Sequence, residues 1–321
     1  MSVPDSAVSP ALSVEGIASV GCTVSDLDRS AAFFTDVLTF TVVSEIEAAG
    51  EAGARARVAR LQLGDATIEL TQYHAPDGSG GRPVPADSRS NDGWFQHLSI
   101  IVRDIDAAYA RLRAHGVRRV SPAPQRLPDT IKGAEGIRAL YFHDPDGHTL
   151  ELLQYPPDKG DAKWHAPLAA PDALFLGVDH TGIAVRDTAA SLRFYRDALG
   201  MKAAGETLNE GIEQSRLTGV PDARVRITSL RFPKGMGIEL LEYLTPRDGR
   251  PMPADVRAHD LFYWQTRVIT PDVGRAASYA RDHAFPVASN DVTTLSVQER
   301  GFSRAVLVRD PDGHGVQFVT P

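Results

Sequence analysis

A seven-residue phrase occurs twice in this chain. Gly81-Arg82-Pro83-Val84-Pro85-Ala86-Asp87 returns as Gly249-Arg250-Pro251-Met252-Pro253-Ala254-Asp255, 168 positions on in a chain of 321 residues. A repeat spaced at half the chain length restricts the fold to a duplicated architecture before any local propensity is weighed. The duplication is finer than a half. Val24 to Phe34 (VSDLDRSAAFF) matches Val185 to Tyr195 (VRDTAASLRFY), and Val102 to Tyr109 (VRDIDAAY) opens the same way. A weaker fourth copy begins near Ile269 (ITPDVGRAA).

The copies share one grammar. A short alternating strand, such as His97 to Val102 (HLSIIV), comes first. An Asp follows where a helix N-cap is wanted, because a carboxylate accepts from free backbone N–H groups. The helix carries apolar residues at helical spacing: Ala31, Phe34, Val37 and Leu38 in one copy, Leu192, Tyr195 and Leu199 in another. Gly116 and Gly200 mark helix ends. Further strands follow, around Arg55 to Leu61 and Ala66 to Leu70, and around Arg224 to Ile227 and Gly237 to Leu241. The second and fourth copies turn at Asp144-Pro145-Asp146-Gly147-His148 and Asp310-Pro311-Asp312-Gly313-His314 before a last strand. The expectation is an α+β protein of four βαβββ modules, at 14–75, 93–156, 176–245 and 260–321. Residues 1–13 read as a disordered lead-in. The Pro-rich stretch 157–175 reads as a linker between the halves 14–156 and 176–321, with Trp164 and His165 packing somewhere.

Charge and cysteine content exclude some function classes. With 34 basic against 41 acidic residues the net charge is −7, which disfavours a broad nucleic-acid footprint. Cys22 is the only cysteine, so no internal disulfide forms; it reads as a small buried apolar residue. The N-terminus has no basic, apolar leader pattern, and no segment approaches the roughly 18 apolar residues of a membrane span. A cytoplasmic location and a small-molecule partner, without nucleic acid or membrane, are expected; self-association as a homodimer stays open.

The strand-plus-helix openings, above all Val178-Asp179-His180-Thr181-Gly182-Ile183-Ala184-Val185, and the closing Asp144-Pro145-Asp146-Gly147-His148-Thr149-Leu150-Glu151 resemble the vicinal oxygen chelate superfamily. That superfamily includes glyoxalase I, epimerases, extradiol dioxygenases and antibiotic-resistance proteins. The resemblance covers nearly the whole chain and implies two cup-shaped mixed β-sheet barrels flanked by helices. It implies that each cup, made of two modules, can hold a divalent metal through one His or Gln and one Glu per module. It is silent on the reaction, because this fold hosts unrelated chemistries.

Carried over module by module, the ligand positions are Ser19 and Glu69, His97 and Glu151, His180 and Glu239, and Gln265 and Gln317. Neutral imidazole with carboxylate suits Ni, Zn, Co, Mn or Fe(II). If modules pair in chain order, neither cup has a full set. If the second pairs with the third, one cup collects His97, Glu151, His180 and Glu239, and Ser19, Glu69, Gln265 and Gln317 form a degenerate second cup. The central pairing is favoured because it unites every strong ligand. Tyr263, on the same face as Gln265, is the alternative if the strand alignment slips. A buried carboxylate needs a metal or an Arg, and Glu69 is the one most expected to be structural or substrate-facing. His148 and His314, in turns, are not expected to be ligands. Arg55, Arg57, Arg224 and Arg226 read as a solvated strand face. The expected function is a metal-dependent lyase or isomerase, with Glu151 or Glu239 as general base. The alternatives are an extradiol-type dioxygenase and a non-catalytic binding or resistance protein.

Overall fold

The computed structural model describes residues 10–49, 55–74, 80–166, 173–289, 292–294 and 301–321. Module one contains β1 (Gly16–Thr23), α1 (Leu27–Ala32), β2 (Thr41–Ala49), β3 (Arg55–Leu63) and β4 (Ala66–His74). Module two contains β5 (Gln96–Val102), α2 (Ile105–Ala114), β6 (Gln125–Arg126), β7 (Arg138–His143) and β8 (Thr149–Gln154). Module three contains β9 (Phe175–Val185), α3 (Thr188–Leu192), β10 (Lys202–Asn209), α4 (Ile212–Thr218), β11 (Arg224–Arg231) and β12 (Gly237–Thr245). Module four contains β13 (Trp264–Ile269), α5 (Val273–Asp282), β14 (Thr293–Thr294), β15 (Arg304–Arg309) and β16 (Gly315–Thr320). The predicted caps form: Asp26, Asp104, Asp187 and Asp272 each accept from backbone N–H groups of the following turn. Helix α4 has no counterpart among the described residues of the other modules, and no repeat signal announces it.

The strands build two eight-stranded mixed sheets, β14-β15-β16-β13-β1-β4-β3-β2 and β10-β11-β12-β9-β5-β8-β7-β6. Modules one and four thus share one sheet, and modules two and three share the other. At each centre two module-opening strands run antiparallel, β1 with β13 and β5 with β9. The flanking pairs β1/β4, β13/β16, β9/β12 and β5/β8 are parallel.

Modules one and two, and modules three and four, meet through their helices instead. Leu27 and Phe34 from module one share a buried cluster with Ile105 and Leu112 of α2. Leu192 and Phe194 share another with Val273 and Ala276 of α5. Each helix is apolar on one stripe only, so it covers its own sheet and its neighbour's helix together. Modules one and two, and modules three and four, share a helix-lined core, while modules two and three, and modules one and four, share a sheet.

The repeated phrase is the clasp between the halves. Arg82 donates to Asp260 and Asp255, and Arg250 donates to Asp92 and Asp87. The backbones also cross-bond, with Gly93 N–H donating to Arg250 O and Leu261 N–H to Arg82 O. A Cβ on Gly81 would lie 1.6 Å from His259 O, and one on Gly249 1.8 Å from Asn91 O, so only glycine fits either place. The closing turns add two ties. His148 reaches Leu261 O and Asp144, and His314 reaches Ala184 O.

Two sequence expectations need correction. The lead-in predicted over 1–13 is anchored at its end: Ala11 and Leu12 N–H donate to Asp197 O and Ala198 O, and Leu12 is buried. A partly apolar segment beside an open helix end recovers hydrogen bonds that water would otherwise supply. Residues 1–9 lie outside the described part. The linker predicted over 157–175 is partly structured, with a 3₁₀ turn at Ala162–Trp164, and Phe175 already belongs to β9. Residues 167–172 of that stretch are outside the described part. Among the described residues no helix is long and apolar enough to cross a membrane.

Candidate metal centre

The register of the β5/β9 seam places the candidate ligands. Opposed residues in neighbouring strands point to the same face of a sheet. One transverse row reads Glu151–Ser99–His180, and the next reads His97–Gly182–Glu239. Each row puts a small residue at the middle and a functional one at each end. The small residues matter sterically. A Cβ on Gly182 would come 2.2 Å from His97 Cε1, so the imidazole lies over bare backbone. Ser99 is fully buried beneath the same site.

Three of the ends converge, and the fourth, Glu239, adjoins His180. His97 Nε2 lies 3.4 Å from His180 Nε2 and 3.4 Å from Glu151 Oε2. His180 Nε2 is 3.7 Å from Glu151 Oε2 and 3.3 Å from Glu239 Oε2. Ligands bonded to one ion at about 2.1 Å, in cis positions, sit roughly 3.0–3.5 Å apart. The donor chemistry and spacing therefore fit a divalent transition-metal ion. His97, Glu151 and His180 form the tight, buried group. The Glu239 side chain is 19% exposed against 7% for Glu151, and its Oε1 accepts from Ser229 Oγ at 2.7 Å.

A second layer orients the imidazoles. His180 Nδ1 donates to Asp179 Oδ2 at 2.9 Å, which leaves Nε2 directed at the site. Asp179 also accepts from Tyr155 Oη, Arg231 and Trp164 Nε1. Trp164 comes from the linker, so the connection between the halves takes part in building this cup. His97 Nδ1 lies 3.4 Å from Tyr141 Oη. Burial pushes the Tyr141 phenol up, as do Glu151 and Glu239, so it stays neutral. Burial opposes charge on His180, but the carboxylates of Glu239, Asp179 and Glu151 outweigh it and raise the ring to about 9. Burial likewise opposes the Glu151 carboxylate, and the two imidazoles outweigh it and hold the group below its ordinary range.

The second cup repeats this register with different residues. Its rows read Gln317–Arg267–Ser19 and Gln265–Gly21–Glu69. The register thus puts Gln265, not Tyr263, at the position that corresponds to His97; Tyr263 Oη donates to Gln265 Oε1 at 3.2 Å. Arg267 stands where the first cup has Ser99. Its guanidinium reaches Gln317 Oε1 at 2.7 Å, Ser19 Oγ at 3.3 Å and the Glu69 carboxylate. It fills the middle of the four positions with positive charge, so this set does not fit a divalent cation. Glu69 receives Arg60 as well, and the arginines outweigh its burial and hold its carboxyl below the usual range.

Sequence reasoning did not single out Asp179, Ser99, Tyr141 or Arg267. Asp179 and Arg267 had a legible signal: one adjoins His180, and the other lies two residues from Gln265 and so shares its face. His148 lies instead in a buried group with Cys22 and Asp144, where both ring nitrogens are engaged structurally. Arg55, Arg57, Arg224 and Arg226 make ion pairs on the outer strand faces with Glu47, Asp28, Glu210 and Glu242.

Residues 16–152 and 177–318 match the Glyoxalase/Bleomycin resistance protein/Dioxygenase superfamily. The chain belongs to this superfamily. It is 40% identical over 151 residues to 2-epi-5-epi-valiolone epimerase of an Actinomyces species, covering 43% of this chain and 78% of that protein. It is 24% identical over 180 residues to a lactoylglutathione lyase of Arabidopsis thaliana, covering 56% of this chain and 52% of that one. The crystal structure of glyoxalase I from Zea mays superposes with a TM-score of 0.63 at 19% identity, covering 95% of this chain and 92% of that chain. That likeness bears on the fold alone.

Proposed function

We propose that the cup of modules two and three is the active site of a metal-dependent isomerase or lyase. The observation that carries this reading is the convergence of His97, Glu151 and His180 at the spacing of ligands to one ion, with Glu239 beside His180. A divalent ion bound there supplies Lewis-acid polarisation of a substrate oxygen. His97, His180 and Glu151 are the residues to hold it. Glu239 is the proton carrier: it is the most accessible of the four, and Ser229 orients one of its oxygens so that the other can take a proton from carbon and return it. The names of the epimerase and lyase relatives support chemistry of this kind.

The cavity above these residues measures about 880 Å³, within the range of small-molecule sites. Thr207, Asn209, Gln214 and Ser229 line part of it. Asn209 and Gln214 are buried and bonded to each other, Asn209 Nδ2 donating to Gln214 Oε1 at 3.2 Å. These neutral hydrogen-bonding groups suit an oxygenated substrate with hydroxyl or carbonyl groups.

Metal titration of the full chain tests the reading. One ion per chain, lost in His97→Ala and in His180→Ala, is expected, together with solvent-deuterium uptake into an α-hydroxyketone that depends on the ion. Two equivalent ions per chain, or no ion with Ni, Zn, Co, Mn or Fe(II), would overturn it. The tight group of two histidines and one carboxylate also matches the Fe(II) set of ring-cleaving dioxygenases. Oxygen consumption with catechol and Fe(II), without deuterium uptake, would favour that second reading.

A further inference from the structure

The second cup is not an empty remnant. It encloses a cavity of about 560 Å³, large enough for a small organic molecule. Its centre is a built polar cluster around Arg267, whose side chain is only 11% exposed. Arg267 Nε and Nη1 are engaged by Gln317, Ser19 and Glu69. Its Nη2 has no hydrogen-bond partner among the described residues, and neither has Glu69 Oε2 or Gln317 Nε2. All three side chains line the cavity. Phe302 forms an adjoining wall, with the guanidinium of Arg267 5.3 Å and that of Arg60 5.5 Å from its ring centroid. Ile46 and Val58 line an apolar part of the cavity.

These features select a ligand class. A metal ion is repelled by the guanidinium at the centre of the four positions. Glu69 is shared by Arg267 and Arg60, and its spare oxygen is an acceptor that repels an anion placed against it. What stays on offer is a donor, an acceptor and a second donor on planar, rigid groups, beside an aromatic face. Adjacent hydroxyl groups, each able to donate and accept, satisfy such an alternating set without bringing charge. Buried polar groups of this kind favour a ligand that pairs all of them over one that leaves some unpaired.

We propose that the cup of modules one and four is a metal-free binding site for a small uncharged polyol, with Arg267, Glu69 and Gln317 as its recognition groups. The site stands independently of the reaction assigned to the first cup.

The test is calorimetric titration of the full chain with myo-inositol, and with lactate as a charged comparison. Wild type is expected to bind one myo-inositol per chain, with lactate weaker. His97→Ala is expected to leave that binding unchanged. Arg267→Ser, which restores the small residue of the first cup, is expected to weaken it by about tenfold or more. Because Arg267→Ser strips Glu69 of its main partner and can unfold the protein, Arg267→Lys is the second variant. It keeps a cation beside Glu69 while removing the fork of donors, and a loss of about fivefold or more is expected. No binding by wild type up to about 50 mM myo-inositol, a signal lost in His97→Ala, or tighter binding of lactate than of myo-inositol would each overturn the proposal.

Discussion

Asp179→Asn tests whether Asp179 orients the candidate metal centre or only stabilises the fold. Asp179 is 2% exposed. Its Oδ2 accepts from His180 Nδ1 at 2.9 Å, from Tyr155 Oη at 3.2 Å and from Arg231, and its Oδ1 accepts from Trp164 Nε1 at 3.2 Å. Asparagine has one acceptor oxygen and one donor amide. With its oxygen kept toward His180, the amide faces the Trp164 N–H, donor against donor; turned round, it faces three donors. The first arrangement costs one buried hydrogen bond and removes the charge opposite Arg231. Breaking a fully buried pair costs about 3–5 kcal/mol, and the 30% exposure of the Arg231 side chain moves the expectation to about 2–3 kcal/mol. The His180 ring also loses a carboxylate partner, a change that typically weakens metal affinity by about 10- to 100-fold.

Denaturant unfolding of the metal-free protein reads the first effect, and competition with a chromophoric chelator reads the second. Glu242→Gln is the control, because Glu242 is a similarly buried carboxylate, bonded to Thr188 and Arg226 and absent from the candidate ligand group. It is expected to lower stability by a comparable amount while leaving metal affinity unchanged. Equal loss of metal affinity in both variants, or none in Asp179→Asn, would refute the orienting role of Asp179.

Other outcomes follow from the same geometry. Glu239→Gln is expected to retain the ion while isomerase or lyase turnover falls by about 10²- to 10⁴-fold, measured as metal content against rate on the same preparation. Gly249→Ala sets a Cβ against Asn91 O, and the clasp must open to admit it. We expect a soluble yield or unfolding midpoint well below wild type, whereas alanine at Gly80, with nothing within 4 Å of its Cβ, leaves both unchanged. Burial opposes charge on His148, but Asp144 outweighs it and holds the ring well above the ordinary histidine range. A raised folded value contributes stability fully below about pH 6.5 and loses it as pH rises through the folded value. The stability gap between wild type and His148→Gln is therefore expected to shrink toward alkaline pH in denaturant titrations; a gap that widens would contradict the charged-ring assignment.

Much of the site was legible because β-strands have a period of two. That period, with the repeat as a ruler, is enough to align Ser19 with His180, Gln265 with His97, Glu69 with Glu239 and Gln317 with Glu151, and the strand registers align them the same way. The capping Asp residues and the helix-ending glycines at 116 and 200 were equally local, since a cap involves one turn and a left-handed residue only its own backbone. Helix α4 was missed because it belongs to one module and breaks the repeat. Tyr141 was missed because its role comes from a ring on a different strand.

The sequence by itself determined the four modules, the residue type at each candidate ligand position, and therefore that modules two and three carry imidazoles there while modules one and four do not. Only the tertiary structure decided that modules two and three share a sheet, that Asp179 and the linker's Trp164 stand behind His180, and that Arg267 fills the second cup. The physical reason is one of range. The alternation of a strand fixes which side chains share a face, and that is written residue by residue. Which strand lies beside it depends on long-range packing of helices and on the Arg82 and Arg250 clasps, interactions between segments far apart in the chain.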